Sequence, residues 1–334
     1  MDIFPTQYST LASGALNLRL QEAFGLKDTH CRLLIRNVSD AYVFGNEAAQ
    51  YLFKIYRDAH RKPDEIRGEV QLLNALAAGG ARVAQPVADR AGHYLQAFQA
   101  AEGIRYGVLF TWAPGEVVMA MDKTQLETVG REMARIHQIS ERIELDHHRS
   151  AYTPDTTIAE PLQRIEPAFK GLESAYAYLH QAGDEVYQQL SDMNTEAFSK
   201  GYCHYDFLPK NFHFTAAGAI TFFDFDFAGK GLLANDIATF FNHFFLEVTA
   251  GRLTIPEAQE ALAIFIAAYR RVKPLSDAEI QAIPALGFAF WTFYLGFQYD
   301  SYDDWSNFFF GPRFLRERTA LIRKWMETAP ALLP

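Results

Sequence analysis

The period of the apolar positions changes once along this chain. Before Pro114-Gly115 they fall in short alternating runs that predict strands. Gln50–Tyr56, QYLFKIY, is the clearest, with Lys54 set among apolar neighbours, and residues 36–50 read as strand, turn and strand with Gly45 as their one glycine. A short helical stretch precedes them, and one amphipathic helix interrupts them over Pro63–Ala78. It opens on Pro-Asp-Glu and stops at Gly79-Gly80, as helix ends do. Beyond Pro114-Gly115 the spacing becomes helical, with helices expected over 122–138, 158–180, 184–199, 236–249, 256–272, 277–299 and 311–327. The exception is a pair of β-prone runs, 211–214 and 219–223, joined by Ala-Ala-Gly and read as a hairpin. A chain of 334 residues that is 49% hydrophobic can bury one large or two modest cores. The change of period predicts two units, 1–113 and 114–334, in an α+β architecture.

The hairpin carries the chemistry. His204-x-Asp206-x-x-x-x-Asn211 has the spacing of a kinase catalytic loop, in which the Asp faces the substrate hydroxyl and the Asn holds magnesium. Phosphoryl transfer asks the protein for position and charge more than for covalent chemistry. Mg²⁺ keeps several waters and takes one or two carboxylates, so Asn211 and Asp224, brought to one edge by the hairpin, suffice as metal ligands. Asp226 follows at a period of two. On an extended strand it would point to the same side as Asp224, which makes it a further candidate for the metal or its surroundings, as is His204. A hydrolase-type cluster of His204, Asp206, Asp224 and Asp226 is the competing reading, since these side chains also bind transition metals. Upstream, a lysine within an apolar strand is costly unless paired. Lys54 therefore calls for an anionic partner, with Glu69 on the following helix first in line and Glu65 one turn earlier second. No glycine-rich phosphate loop is present. Ser39, Asp40 and Ala41, read as a turn, are the remaining place for backbone contacts to phosphates.

A formal net charge of −9 argues against nucleic acid as the substrate, since a phosphate backbone needs a basic stripe. It suits a cationic or zwitterionic acceptor. No apolar run reaches membrane-span length and the first 25 residues lack a signal-peptide pattern, so a cytoplasmic protein without membrane partners is expected. Cys31 and Cys203 fit reduced core thiols. In the aromatic run from Trp291 to Arg313, residues Trp291, Tyr294, Leu295 and Gln298 follow helical spacing and read as core. Asp300, Asp303, Trp305 and Arg313 remain as candidate substrate contacts. His137 and the pair His147-His148 read as helix-end and linker residues.

These motifs resemble the aminoglycoside phosphotransferase and choline kinase superfamily, in the branch of homoserine kinase and the RdoA-type stress-response kinases. The likeness runs through the FKIYR strand, Glu69 within DEIRGEVQLLNAL, VAQPV, LFTWAPGE, LETVGREMARIHQ, the catalytic segment and FDFDFAGKGLLANDIA. It implies a bilobal protein-kinase-like fold with a β-rich N-terminal lobe and a mostly helical C-terminal lobe. It also implies Asp224 rather than Asp226 as the metal carboxylate, Asp236 as the family's helix-start Asp, and backbone groups of Thr111 and Trp112 meeting adenine at a hinge. Tyr205 departs from the family, which most often has Gly there, and so do residues 207–210. The implied activity is ATP- and Mg²⁺-dependent transfer to a hydroxyl of a small molecule (an amino alcohol, homoserine-like or aminoglycoside-like), by a monomer or homodimer. The alternatives are a bacterial stress-response Ser/Thr protein kinase and a binding module that has lost catalysis. Only residues 225–235 separate Asp224 from Asp236, which leaves no room for a long peptide-docking activation segment, although the stress-response kinases have the same short segment and stay open as the alternative. Leu208 stands where eukaryotic protein kinases carry a lysine.

Overall fold

The computed structural model describes residues 6, 8–301 and 310–334. They form two compact units: one built from the chain up to Ala78, Val83–Pro114 and Leu145–His148, the other from Gly79–Arg82, Gly115–Glu144 and the chain from Arg149 onward.

The first unit is an antiparallel sheet with two helices. In chain order it contains α1 (Ser13–Phe24), β1 (His30–Arg36), β2 (Ser39–Gly45), β3 (Gln50–Tyr56), α2 (Pro63–Ala78), β4 (Pro86–Val87), β5 (Leu95–Ala100) and β6 (Gly103–Thr111). The order across the sheet is β1-β2-β3-β6-β4, with β5 also paired to β6. The apolar face of β2, β3 and β6, through Tyr42, Phe44, Phe53, Ile55 and Leu109, packs on Leu16 and Leu20 of α1. Helix α2 buries Ile66, Glu69, Val70, Leu73 and Leu76, a stripe at helical spacing with one carboxylate in it. Asp64, in its first turn, accepts the His147 Nδ1–H at 2.8 Å and the His148 backbone N–H at 2.9 Å, which ties residues 145–148 to this unit. Ser39, Asp40 and Ala41 belong to β2 rather than to a turn. Asp40 is fully buried, and its carboxylate lies 3.6 Å from Arg105.

The second unit is mainly helical. Its elements are α3 (Lys123–Ser140), α4 (Glu160–Ile165), α5 (Glu173–Asp192), β7 (Lys200–Cys203), β8 (Phe212–Phe214), β9 (Ile220–Phe222), β10 (Gly229–Leu232), α6 (Ala234–Thr249), α7 (Ile255–Arg270), α8 (Asp277–Gln281), α9 (Ile283–Ser301) and α10 (Pro312–Leu332). Reciprocal capping boxes start α3 (Asp122 with Gln125), α7 (Thr254 with Glu257) and α8 (Ser276 with Glu279). Trp325 of α10 donates its indole N–H to the Pro284 carbonyl of α9 at 2.9 Å.

Several helix boundaries differ from the sequence expectation: the 277–299 helix divides at Ala282 into α8 and α9, and α5 ends at Asp192, short of 199. The predicted 158–180 helix is interrupted: α4 passes into a 3₁₀ turn at Glu166–Phe169 and α5 begins afresh at Glu173. Pro167, without an N–H, breaks the hydrogen-bond ladder there. The break expected near Gly183 does not occur, because that residue lies inside α5. A Cβ at Gly183 would come within 2.5 Å of Leu162, so the glycine serves close packing on α4 and does not end the helix.

Candidate active site

Strand β7 pairs antiparallel with β10, Cys203 opposite Gly229, and delivers the chain into His204-Tyr205-Asp206. Tyr205 has φ 61°, a left-handed conformation that costs a non-glycine residue about 1–2 kcal/mol. Stacking holds it there: its fully buried ring lies on Tyr152 at 3.6 Å between centroids and 9° between planes, with Phe290 and Phe293 of α9 edge-on at 5.7 and 5.1 Å. The turned backbone presents two successive N–H groups to one carboxylate. Asp236, on α6, accepts from His204 N–H at 2.8 Å and Tyr205 N–H at 2.7 Å.

Asp236 is completely buried and has a third donor, His137 Nε2 at 3.0 Å, while His137 Nδ1 lies 2.8 Å from the Tyr269 hydroxyl. An ionised carboxylate only accepts, so the His137 proton sits on Nε2 and Tyr269 donates to Nδ1. His137, read from sequence as a helix-end residue, thus braces the catalytic loop from α3. Both nitrogens of His204 are engaged within the loop itself. Nδ1 accepts the Asp206 N–H at 3.3 Å and Nε2 donates to the Phe223 carbonyl at 3.0 Å, which makes His204 a positioning residue and not a metal ligand.

Asp206 is 4% exposed. Asn211 Nδ2 donates both to its backbone carbonyl and to Oδ2, each at 2.8 Å, and Lys210 Nζ lies 2.8 Å from the same oxygen. Oδ1 is buried with no hydrogen-bond partner among the described residues. Burial pushes the carboxyl above the ordinary aspartate value, against the pull of Lys210. Burial works to lower Lys210, but the Asp206 carboxylate overrides it and leaves the ammonium above its ordinary value. Sequence reasoning missed Lys210. The available signal was its place four residues after Asp206, within one helical turn's reach.

The hairpin closes as its sequence predicts. β8 pairs with β9, Phe212 opposite Phe222, and the Phe223 N–H donates to the Asn211 carbonyl at 2.9 Å, so Asn211 and Asp224 emerge from one end of the ladder. Gly115 lies against this hairpin with φ 95°, and a Cβ there would sit 2.1 Å from the Phe214 carbonyl oxygen.

The DFD stretch, in contrast, is not extended. Asp224 is left-handed (φ 62°, ψ 59°) and Phe225–Phe227 form a 3₁₀ turn, so the period-of-two argument fails there: Asp224 is exposed and Asp226 buried. The Arg149 guanidinium donates to the carbonyls of Phe225, Asp226 and Ala228, and the Tyr152 hydroxyl donates to that of Phe227. The carbonyls of this turn are thereby held from outside. With its amide nitrogen given to Asp206, Asn211 offers the amide oxygen to a cation, and Asp224 offers a carboxylate. This hard oxygen pair suits Mg²⁺. Among the described residues no group of three His, Cys, Asp or Glu side chains is placed to hold a metal, so the hydrolase-type cluster is not formed.

In the first unit Lys54 stands on β3, opposite Ala41 of β2 and Val108 of β6, and is 6% exposed. Glu69 is buried on α2. Both approach Tyr56, whose hydroxyl donates to Glu69 Oε2 at 3.1 Å and whose ring centroid is 5.0 Å from Lys54 Nζ. Glu65 instead takes the Lys62 N–H and Arg61. At the expected hinge the Thr111 N–H is committed to the Gln85 carbonyl at 2.8 Å, so any adenine contact from Thr111 would come from its carbonyl.

Of the proposed substrate contacts, Asp300 pairs with Arg164 at 3.2 Å. Arg313 is exposed and pairs with Glu317 on its own helix at 2.8 Å. Asp303 and Trp305 lie outside the described residues.

Residues 31–275 match the model of a phosphotransferase enzyme family, APH. An uncharacterized protein of Synechocystis sp. is 32% identical over 287 residues, covering 85% of this chain and 77% of that protein. A homoserine kinase of Phenylobacterium zucineum is 26% identical over 253 residues, covering 73% and 71%. Among solved structures, the amicoumacin kinase hAmiN in complex with AMP-PNP, Ca²⁺ and Ami superposes with a TM-score of 0.74 at 20% identity, covering 95% of this chain and 93% of that one. A microcompartment-associated aminopropanol kinase gives 0.74 at 19% identity, covering 96% and 99%. The α+β kinase-like fold expected from the sequence is thus the fold observed.

Proposed function

The chain belongs to the phosphotransferase enzyme family, and from that premise we propose that it transfers the γ-phosphate of ATP, with Mg²⁺, to a hydroxyl of a small molecule. The observation that carries the reading is the state of Asp206: Oδ2 is fixed by Lys210 and Asn211, while Oδ1 has no partner among the described residues. That oxygen orients the acceptor hydroxyl and takes its proton. Asn211 and Asp224 are the ligands assigned to Mg²⁺, which when bound would neutralise charge on the phosphates. Lys54, kept in place by its surroundings on β3, is assigned to the phosphates, and the backbone of Thr111 and Trp112 to adenine.

A small acceptor is favoured over a protein. The stretch between Asp224 and Asp236 is taken up by a 3₁₀ turn, by β10 and by the start of α6, which speaks against a eukaryotic-type activation segment. The homoserine, amicoumacin and aminopropanol kinases named above support the same choice. No helix among the described residues is long and apolar enough to cross a membrane.

Purified protein with Mg-ATP and a panel of amino alcohols, homoserine, choline-like compounds, aminoglycosides and a generic protein substrate tests this reading through acceptor-dependent ADP release. Stimulation by a small molecule is expected. Transfer to protein alone would replace it with the stress-response kinase reading.

A further inference from the structure

In the second unit, the catalytic loop leads through aromatic rings to a cation that meets no carboxylate among the described residues. Tyr205 packs on Phe290 of α9, Phe290 stacks on Tyr294 at 5.9 Å, and Trp291 lies 6.0 Å from Phe290. Over the Trp291 ring, at 5.1 Å, sits the guanidinium of Arg318 from α10, which also covers Phe314 at 5.2 Å. Tyr294 joins the two ends, because it lies within electrostatic reach of Asp206, Lys210 and Asp224 on one side and of Arg318 on the other.

Arg318 is half-buried, and among the described residues it makes no ion pair and no hydrogen bond. Burial holds its pKa below the ordinary arginine value, and among the described residues Tyr294 is the titratable group that acts on it. Arg164, Arg252, Arg270 and Arg313 of this unit each meet a carboxylate, whereas Arg318, like Arg323 over Tyr178, faces a ring. A desolvated guanidinium with five donors and no acceptor is costly to keep. Beside it, the Trp291 indole N–H is also buried without a partner. Lys210, by contrast, is paired with Asp206.

We propose that the phosphate acceptor carries an oxyanion, a carboxylate or a phosphate, and that Arg318, held over Trp291 and Phe314, binds it while Asp206 addresses the hydroxyl. This rests on the phosphotransferase reading and narrows it. Within a strongly acidic protein, the acceptor end of this site is cationic, so amino alcohols without an acid group are disfavoured. A planar fork fits a carboxylate or phosphate in bidentate fashion, which an ammonium at the same place would not.

The test compares acceptors matched in all but the acid, under saturating Mg-ATP: homoserine against 3-aminopropan-1-ol, serine against ethanolamine, glycerate and glycerol 3-phosphate against glycerol. Wild-type protein should prefer the acid-bearing member by about 10²-fold in kcat/KM, and the carboxylate and phosphate arms identify which oxyanion is taken. In Arg318→Gln that preference should fall by about the same factor, mainly through KM, and Arg318→Lys should restore part of it. Melting curves of both variants show whether they fold.

Equal turnover of both members of the active pair, or an Arg318→Gln variant that keeps the preference, overturns the proposal and leaves the phosphotransferase reading standing. No transfer to any member, together with no thermal stabilisation by any acid in the presence of Mg-AMP-PNP, also counts against it. Failure of the wild-type protein to bind Mg-AMP-PNP at all overturns the underlying reading instead.

Discussion

Replacing Lys210 by Met should move the acid limb of the pH profile. Lys210 Nζ lies 2.8 Å from Asp206 Oδ2. At that distance two unit charges attract by about 1.5 kcal/mol in water-like surroundings and by about 6 kcal/mol at an effective dielectric constant of about 20. The Lys210 side chain is 53% exposed, so solvent screens the pair and the lower figure applies. That corresponds to a shift of about one pKa unit. Asp206 already stands above the ordinary aspartate value because it is buried, and the variant removes the cation that opposes this. In the proposed reaction the ionised form takes the acceptor proton. The apparent pKa on the acid side of kcat/KM, measured at saturating Mg-ATP, should therefore rise by about one unit in Lys210→Met while Lys210→Arg stays near wild type. A lowered plateau with an unmoved acid limb would refute the reasoning, because Lys210 would then act elsewhere than on Asp206.

Asp206→Asn should lower transfer by about 10²–10⁴ and yet raise the melting temperature at pH 7. A carboxyl whose folded pKa is raised contributes stability below about pH 4 and loses it as pH climbs through the folded value, so the gain in the variant should vanish in acid. Tyr205→Gly relieves about 1–2 kcal/mol of left-handed strain but gives up a fully buried aromatic ring, worth about 3–5 kcal/mol by analogy with Phe→Ala changes, so net destabilisation is expected in urea unfolding. His137→Phe leaves Asp236 short of one donor in a fully buried site. It should cost about 1–3 kcal/mol of stability and reduce turnover, with the KM for Mg-ATP little changed.

Local signals made much of this molecule legible in sequence. The Ala-Ala-Gly turn between two β-prone runs specifies the hairpin, and the hairpin places Asn211 beside Asp224 through the Phe223 to Asn211 bond. Lys54 within an apolar strand and Glu69 within an apolar helical stripe mark themselves by the cost of burying charge. What stayed hidden depends on contacts distant in the chain. The left-handed turn at Asp224, which separates it from Asp226, is held by Arg149 and Tyr152, more than seventy residues upstream, as their hydrogen bonds record. His137 braces the loop from 99 residues before Asp236. Gly183 looks like a helix end until Leu162 is seen against it. Arg318 carries no motif, and its setting shows only once its aromatic neighbours, and the lack of a facing carboxylate among the described residues, are known.

The most direct measurement is the initial rate of acceptor-dependent ADP formation for wild type and the double variant Asp206→Asn/Asp224→Asn, both verified as folded, at saturating Mg-ATP. Asn at 224 preserves a residue type that tolerates the left-handed backbone, so loss of rate is not loss of fold. The account predicts transfer in the wild type and none above background in the double variant. Equal rates in the two proteins would contradict it and move the catalytic centre away from the hairpin.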